Sequence, residues 1–278
     1  MTGKRSYAYF KREDSDKDEK HDNKKMKCTM SIVYDNYIKD EEQYGTGLFQ
    51  FQNGAIYEGE FQKQKVHGNG RIMYADGATY IGEFKDGKYN GQGKYAFASG
   101  AIYKGDFKDN KREGKGFYRF ASGKTYKGDF KDGKRTGSGE LRYTDGDVYV
   151  GTFLNGIKHG RGMHLYSSVA MYIGDYKNNK YDGEGIMKYA DGTIYTGEFK
   201  NNMCDGEGTM TYPDGDTYIG GFKNNMRHGE GTMKYVNGDI YIGIFKENIC
   251  EGIGKYIHKN ECLYEGNYTK GEPDDIRK

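Results

Sequence analysis

One pentapeptide, Tyr-x-Gly-x-Phe or Tyr-x-Gly-x-Tyr, recurs along this chain at a spacing that never varies. It starts at Tyr57, Tyr80, Tyr103, Tyr126, Tyr149, Tyr172, Tyr195, Tyr218, Tyr241 and Tyr264, and every step is 23 residues. A Gly-x-Gly element keeps the same period from Gly45 to Gly252. A third register carries Gly54, Gly77, Gly100, Gly123, Gly146, Gly192, Gly215 and Gly238. A strict period of this length marks an array in which each unit packs only on its neighbours and none buries its apolar face alone. The question of fold therefore reduces to the structure of one unit.

Residues 68–90 show the pattern. Gly68 to Tyr74 alternates, Ala75-Asp76-Gly77 follows, Ala78 to Phe84 alternates again, and Lys85-Asp86-Gly87-Lys88 closes the unit. Asp-Gly between short alternating aromatic segments is a hairpin signal. The segments are too short and too rich in glycine for helices. Side chains alternate faces along a strand, so Gly68, Gly70, Ile72 and Tyr74 share one face, as do Tyr80, Gly82 and Phe84. The intervening positions read as a charged face, with Glu60, Glu83, Asp106, Asp129, Asp175 and Glu198 in one register and Lys94, Lys188 and Lys234 nearby.

Parity at the turn decides whether the aromatic faces coincide. A two-residue loop at Asp76-Gly77 pairs Met73 with Tyr80 and sets Tyr80 opposite in face to Tyr74. A three-residue loop pairs Ile72 with Tyr80, Gly70 with Gly82 and Gly68 with Phe84, and every aromatic then shares a face. Register follows the apolar side chains, which selects the three-residue loop with Gly77 at positive φ. A second, longer loop carries only Gly or Asn at Gly87, Asn110, Gly133, Gly156, Asn179, Asn202, Asn225 and Asn248, as positive φ requires. Two units, at Ser168-Val169 and Asn260-Glu261, lack the Asp-Gly turn and are expected to be irregular there. The fold expected is all-β: an open, twisted, single-layer antiparallel meander of about ten hairpins.

This repeat resembles the MORN (membrane occupation and recognition nexus) family, and the resemblance spans residues 44–268. That family places Trp or Phe at the fifth position of the pentapeptide, where this chain has Phe, or Tyr at Tyr176 and Tyr268, and no Trp. The resemblance implies an elongated single-sheet rod with a groove, serving as a scaffold at membranes, the cell cortex or the cytoskeleton. Some members belong to radial spokes, and others are fused to lipid-kinase or methyltransferase domains. With 43 residues before the array and ten after it, no such domain is expected in this sequence. Residues 1–43 read as a disordered polar segment with a capping strand near 30–38, and 269–278 as a polar tail.

The composition narrows function further. The net charge is +2, from 43 basic and 41 acidic residues, so the chain as a whole is no nucleic-acid binder by charge. No apolar run approaches the ~20 residues that span a bilayer. Four scattered cysteines make no disulfide framework, and a reducing, cytoplasmic setting is the expectation. Cys28, after Lys24-Lys25-Met26-Lys27, is read as a free thiol before an acylation site. His67, His159 and His228 share a register but lie several repeats apart and are read as exposed loop residues. No nucleophile–base pair, Walker loop or metal-ligand spacing occurs, and no cofactor is expected.

Two extended features remain for binding. An aromatic face bordered by methionine suggests a groove for a peptide or helix, centred on Tyr166, Met187, Tyr189, Tyr195, Met210, Tyr212, Tyr218, Met233 and Tyr235. A lysine row in the longer loops, Lys85, Lys108, Lys131, Lys177, Lys200, Lys223 and Lys246, suggests contact with anionic phospholipid. The reading favoured is a non-enzymatic scaffold that binds a protein partner at a cortical, membrane-associated or cytoskeletal structure. The alternatives are a direct phospholipid binder and an axonemal, radial-spoke component of cilia. A homodimer is left open.

Overall fold

The computed structural model describes residues 31–33, 44–63, 65–259 and 261–274. The expected disorder of 1–27, the rest of the 30–38 capping strand, and Cys28 lie outside the described residues. All described regular structure is β. The strands are β1 (Ser31–Val33), β2 (Tyr44–Gln50), β3 (Ile56–Gln62), β4 (Lys65–Met73), β5 (Thr79–Lys85), β6 (Lys88–Ala96), β7 (Ile102–Lys108) and β8 (Lys111–Arg119). They continue as β9 (Thr125–Lys131), β10 (Lys134–Arg142), β11 (Val148–Leu154), β12 (Ile157–Leu165), β13 (Met171–Lys177), β14 (Lys180–Lys188) and β15 (Ile194–Lys200). The last are β16 (Met203–Thr211), β17 (Thr217–Lys223), β18 (Met226–Lys234), β19 (Ile240–Lys246), β20 (Ile249–His258), β21 (Glu261–Thr269) and β22 (Glu272–Pro273). Each pairs antiparallel with the strand before and after it in sequence, from β1 on β2 to β22 on β21, in one open sheet.

The parity argument holds. Ile72 pairs with Tyr80, Gly70 with Gly82 and Gly68 with Phe84. Tyr74 N–H donates to the Ala78 carbonyl at 2.8 Å and Gly77 N–H to the Tyr74 carbonyl at 2.9 Å, with Gly77 at φ 87°. At the first unit expected to be irregular the turn is regular instead. Val169 takes the glycine's place at φ 62°, and its N–H still reaches the Tyr166 carbonyl at 3.1 Å. The backbone bonds around the loop fix the conformation, and the side chain tolerates it because it points into solvent, 79 % exposed. The last unit does shift register, with Ile257 opposite Cys262 and His258 opposite Glu261.

The longer loops are not loops. Lys85 pairs with Lys88, and the turn between them has two residues, Asp86 (φ 50°) and Gly87 (φ 80°). Positive φ at both centres is what a type I′ hairpin needs. The sequence segment looks long because a bulge follows: Glu83 alone stands against the three residues between Tyr89 and Gly93. Gly91 turns the chain there at φ 64°, and the Glu83 carboxylate accepts a hydrogen bond from Gln92 N–H at 2.8 Å. Asp106 does the same for Lys115, Asp129 for Ser138, Asp175 for Glu184 and Glu198 for Glu207. These carboxylates, read from sequence as a charged face, cap the bulges.

A bulge bends its strand, and here it turns Phe84 and Tyr89 in over Tyr80. Tyr89 stacks on Tyr80 at 3.8 Å between centroids, and Phe84 and Phe107 meet the Tyr80 ring edge-on at 5.0 and 5.1 Å. The Tyr80 ring lies along its own strand, and its hydroxyl donates to the Glu83 carbonyl at 2.8 Å. Glycine makes that posture possible. A Cβ on Gly93 would sit 2.5 Å from the Tyr80 ring. The ring therefore needs no second layer to be buried: Tyr57, Tyr80, Tyr103, Tyr149, Tyr172, Tyr195 and Tyr218 are all inaccessible to solvent.

The opposite face carries the expected charges, but one row along it is not charged throughout. Cross-strand pairing lines up Val150, Met163, Ile173, Ile186, Thr196, Thr209, Ile219, Thr232 and Ile242, one from each strand, β11 to β19. In the first half of the rod the same row is half basic, with Arg71, Lys94, Lys104 and Lys127 alongside Ile81 and Phe117 and with Glu58 and Glu140 at its ends.

Candidate protein-docking surfaces

On the ring face, the groove residues named from sequence fall into two layers. Tyr195 and Tyr218 have no exposed surface, and Met187, Met210 and Met233 are 8, 3 and 5 % exposed. The methionines are thus no groove border. They pair with the tyrosines that open each repeat, Met187 with Tyr195 and Met210 with Tyr218, and fill the core beneath the rings. Tyr166, Tyr189, Tyr212 and Tyr235 pack against that core and remain half-buried. They form a row one repeat apart, about 9.6 Å at two strand spacings. Tyr166 hydroxyl bonds to Tyr181 hydroxyl, and Tyr189 hydroxyl lies 3.7 Å from Cys204 Sγ.

The ring layer also holds cations that sequence reasoning missed. Arg112, Arg135 and Lys158 are 5, 2 and 5 % exposed. They occupy the register of Tyr89, Tyr181 and Cys204 in other repeats. Arg112 lies 4.9 Å from the Tyr118 ring centre and 5.4 Å from Phe130, and Lys158 lies 5.1 Å from Tyr149. Cation–π attraction strengthens in such a dry setting. Arg112 and Arg135 each also donate through Nη2 to a turn carbonyl of the next repeat, at Gly133 and Gly156. Reading each register down the whole array, and not only the aromatic ones, would have exposed the substitution.

The lysine row lies at strand ends along one long edge. Lys85, Lys108, Lys131, Lys177, Lys200, Lys223 and Lys246 are all exposed. In the first half, the neighbouring charges are tied between repeats, Lys88 to Asp109 at 2.8 Å and Lys111 to Asp132 at 2.7 Å. In the second half, Asn178, Asn201 and Asn224 follow Lys177, Lys200 and Lys223 where aspartate stood before, and Glu247 follows Lys246.

His67, His159 and His228 lie in strands, half-buried, and not in exposed loops. The bulge brings this register into the sheet. Cys204 is buried, which pushes its thiol up to about 12, while Cys262 is exposed. Among the described residues no group of three or more His, Cys, Asp or Glu is placed to hold a metal, and no helix is long and apolar enough to cross a membrane.

The sequence model of the MORN repeat matches nine consecutive stretches: 57–79, 80–102, 103–125, 126–148, 149–168, 172–194, 195–217, 218–240 and 241–262. Among curated proteins no sequence matches the chain. Among solved structures, the chain is similar to the TCP10 domain of Danio rerio CPAP in complex with a peptide of STIL. That likeness has 11 % identity over 81 % of this chain and 100 % of that one, at a TM-score of 0.43. The TCP domain of Drosophila melanogaster SAS-4, in complex with a proline-rich motif of Ana2, is 14 % identical. It covers 67 % of this chain and 97 % of that one, at a TM-score of 0.35. Likeness this distant carries no argument here.

Proposed function

The chain belongs to the MORN-repeat family, and from that premise we propose that it is a non-enzymatic scaffold that holds a protein partner along its ring face. The half-buried row Tyr166, Tyr189, Tyr212 and Tyr235 carries the reading. Each ring is fixed at its base by the core and open at its other side. Tyrosine so placed offers large contact area with little entropy left to lose, the character of an interface hot spot. A peptide or helix laid along the rod meets one such ring per repeat. The setting that suits such a rod is a cortical, membrane-associated or cytoskeletal structure, the axoneme among them.

The test is a quantitative affinity capture from cell extract with the full chain, compared with the pair Tyr189→Ala with Tyr212→Ala. The partner should be lost from the variant while its circular dichroism stays that of the parent. Retention of every captured protein by the variant sinks the proposal. Direct phospholipid binding is favoured by a separate observation, the lysines Lys177, Lys200 and Lys223 flanked by asparagine. Vesicles containing phosphatidylserine should then sediment the chain at low salt and release it as salt shortens the Debye length below ~10 Å. No sedimentation at low salt removes that reading.

A further inference from the structure

The face opposite the rings presents an unpartnered apolar row. Val150, Ile173, Ile186, Ile219 and Ile242 are 41–45 % exposed, and they lie in one cross-strand line with threonines between them. Beyond its β11 end the line meets a trough of about 710 Å³ lined by Phe117, Val150, Gly139 and Gly151 but also by Lys115 and Lys127, so the acidic stretch begins only past it, at β13. An exposed aliphatic row on a sheet, interrupted here only by Thr196, Thr209 and Thr232, is unusual when nothing covers it.

Its flank is acidic. Two residues along each strand, ~7 Å away, the adjacent row holds Asp175, Glu184, Glu198 and Glu207 in β13 to β16. Glu184 stands directly opposite Glu198, a like-charge pairing that weakens a sheet. Asp175 and Glu198 cap bulges, but the register of Glu184 and Glu207 has no such duty. In earlier repeats that register holds Asn69, Gln92, Lys115, Ser138 and Arg161. Carboxylates such as Glu83, Asp106 and Asp129 continue the bulge-capping register into the first half, but there they face Asn69, Gln92 and Lys115; acid in both registers occurs only beside the aliphatic row.

We propose that this face docks a basic amphipathic helix of a partner protein, lying along the rod from β11 to β19. The sheet's own ladder already uses the backbone groups of these strands, so the occupant must satisfy its backbone internally, as a helix does. A helix advances ~5.4 Å per turn and the sheet ~4.8 Å per strand, so one apolar side chain per turn meets roughly one strand. Eight strand spacings make ~38 Å, the length of about 26 helical residues. Lysine or arginine on one flank of that helix would reach the carboxylate row. A second copy of the chain fits less well. Packing patch on patch about an axis along the strands sets the carboxylate row against its own copy.

The probe is a synthetic peptide of about that length with leucine on one face and lysine on its flanks, followed by fluorescence anisotropy on the full chain. Controls are a scrambled peptide of the same composition and a leucine–glutamate version. The triple variant Ile173→Thr, Ile186→Thr, Ile219→Thr uses the residue type already present at Thr196, Thr209 and Thr232, so strand propensity is kept. It should weaken the leucine–lysine peptide roughly tenfold or more, and so should Glu184→Gln with Glu207→Gln, since hot spots dominate such interfaces. Ile81→Thr in the first half should change nothing. The pair Tyr189→Ala with Tyr212→Ala should also leave this affinity unchanged, which separates this face from the ring-face proposal. Equal binding of the scrambled peptide, or no loss in the triple variant, overturns the inference. So does a dimer in light scattering that the triple variant converts to monomer, because a second copy then covers the face.

Discussion

Asn110 and Tyr89 hold one another through two hydrogen bonds that run in opposite directions. Asn110 N–H donates to the Tyr89 carbonyl at 3.1 Å, and Tyr89 N–H donates to Asn110 Oδ1 at 2.7 Å. The turn of one repeat thus satisfies the strand of the repeat before it. Asn179 with Lys158, Asn202 with Tyr181, Asn225 with Cys204 and Asn248 with Arg227 repeat the arrangement. Asn110→Gly keeps the positive φ but leaves Tyr89 N–H without its acceptor, which should cost about 1 kcal/mol. Asn110→Ala adds the left-handed penalty of ~1–2 kcal/mol. Urea unfolding of the two variants should rank them in that order, and equal stability of parent and Asn110→Ala would discard the account.

Val169 sits at a left-handed φ of 62° where eight other units use glycine. A β-branched residue is strained there. Val169→Gly should therefore raise stability by about 1 kcal/mol, less the entropy that glycine adds to the unfolded chain. A fall in thermal midpoint would contradict this.

Met187 and Met210 are core residues, and Met187→Glu with Met210→Glu would bury two carboxylates among rings. An unpaired buried charge is strongly destabilising, so the second half of the array should lose its protected amides in hydrogen exchange. The first half should keep its own, because repeats couple mainly to neighbours. Retained protection across the whole rod would show that the methionines are accessible after all.

The buried tyrosines set the alkaline limit. Burial raises the phenol of Tyr57, Tyr80, Tyr149, Tyr172, Tyr195 and Tyr218 well above the usual 10.0, more than any neighbouring charge does. The unfolded chain ionises first, near pH 10. Stability is therefore full below that pH and falls as pH rises beyond it. Phenolate absorbance from these residues should appear only together with unfolding. Gradual ionisation of these six phenols in the folded rod between pH 9 and 10 would count against the packing described.

The period, the pairing register and the positive φ at Gly77 were legible in the sequence because they are local. Face alternation along a strand and the parity of one short loop fix them, and ten repetitions leave no second solution. The same local rule could not show that Met187 and Met210 lie beneath the rings, since their burial depends on Tyr195, Tyr218 and their edge-on phenylalanines in other strands. It could not show that Glu83 caps a bulge, because Gly91 and Gln92 read as the start of a regular strand and the residues before them as loop. Nor did it separate the aliphatic row at Val150, Ile173 and Ile186 from its polar neighbours. That row exists only across strands, one residue from each, and cross-strand adjacency is decided by the tertiary structure.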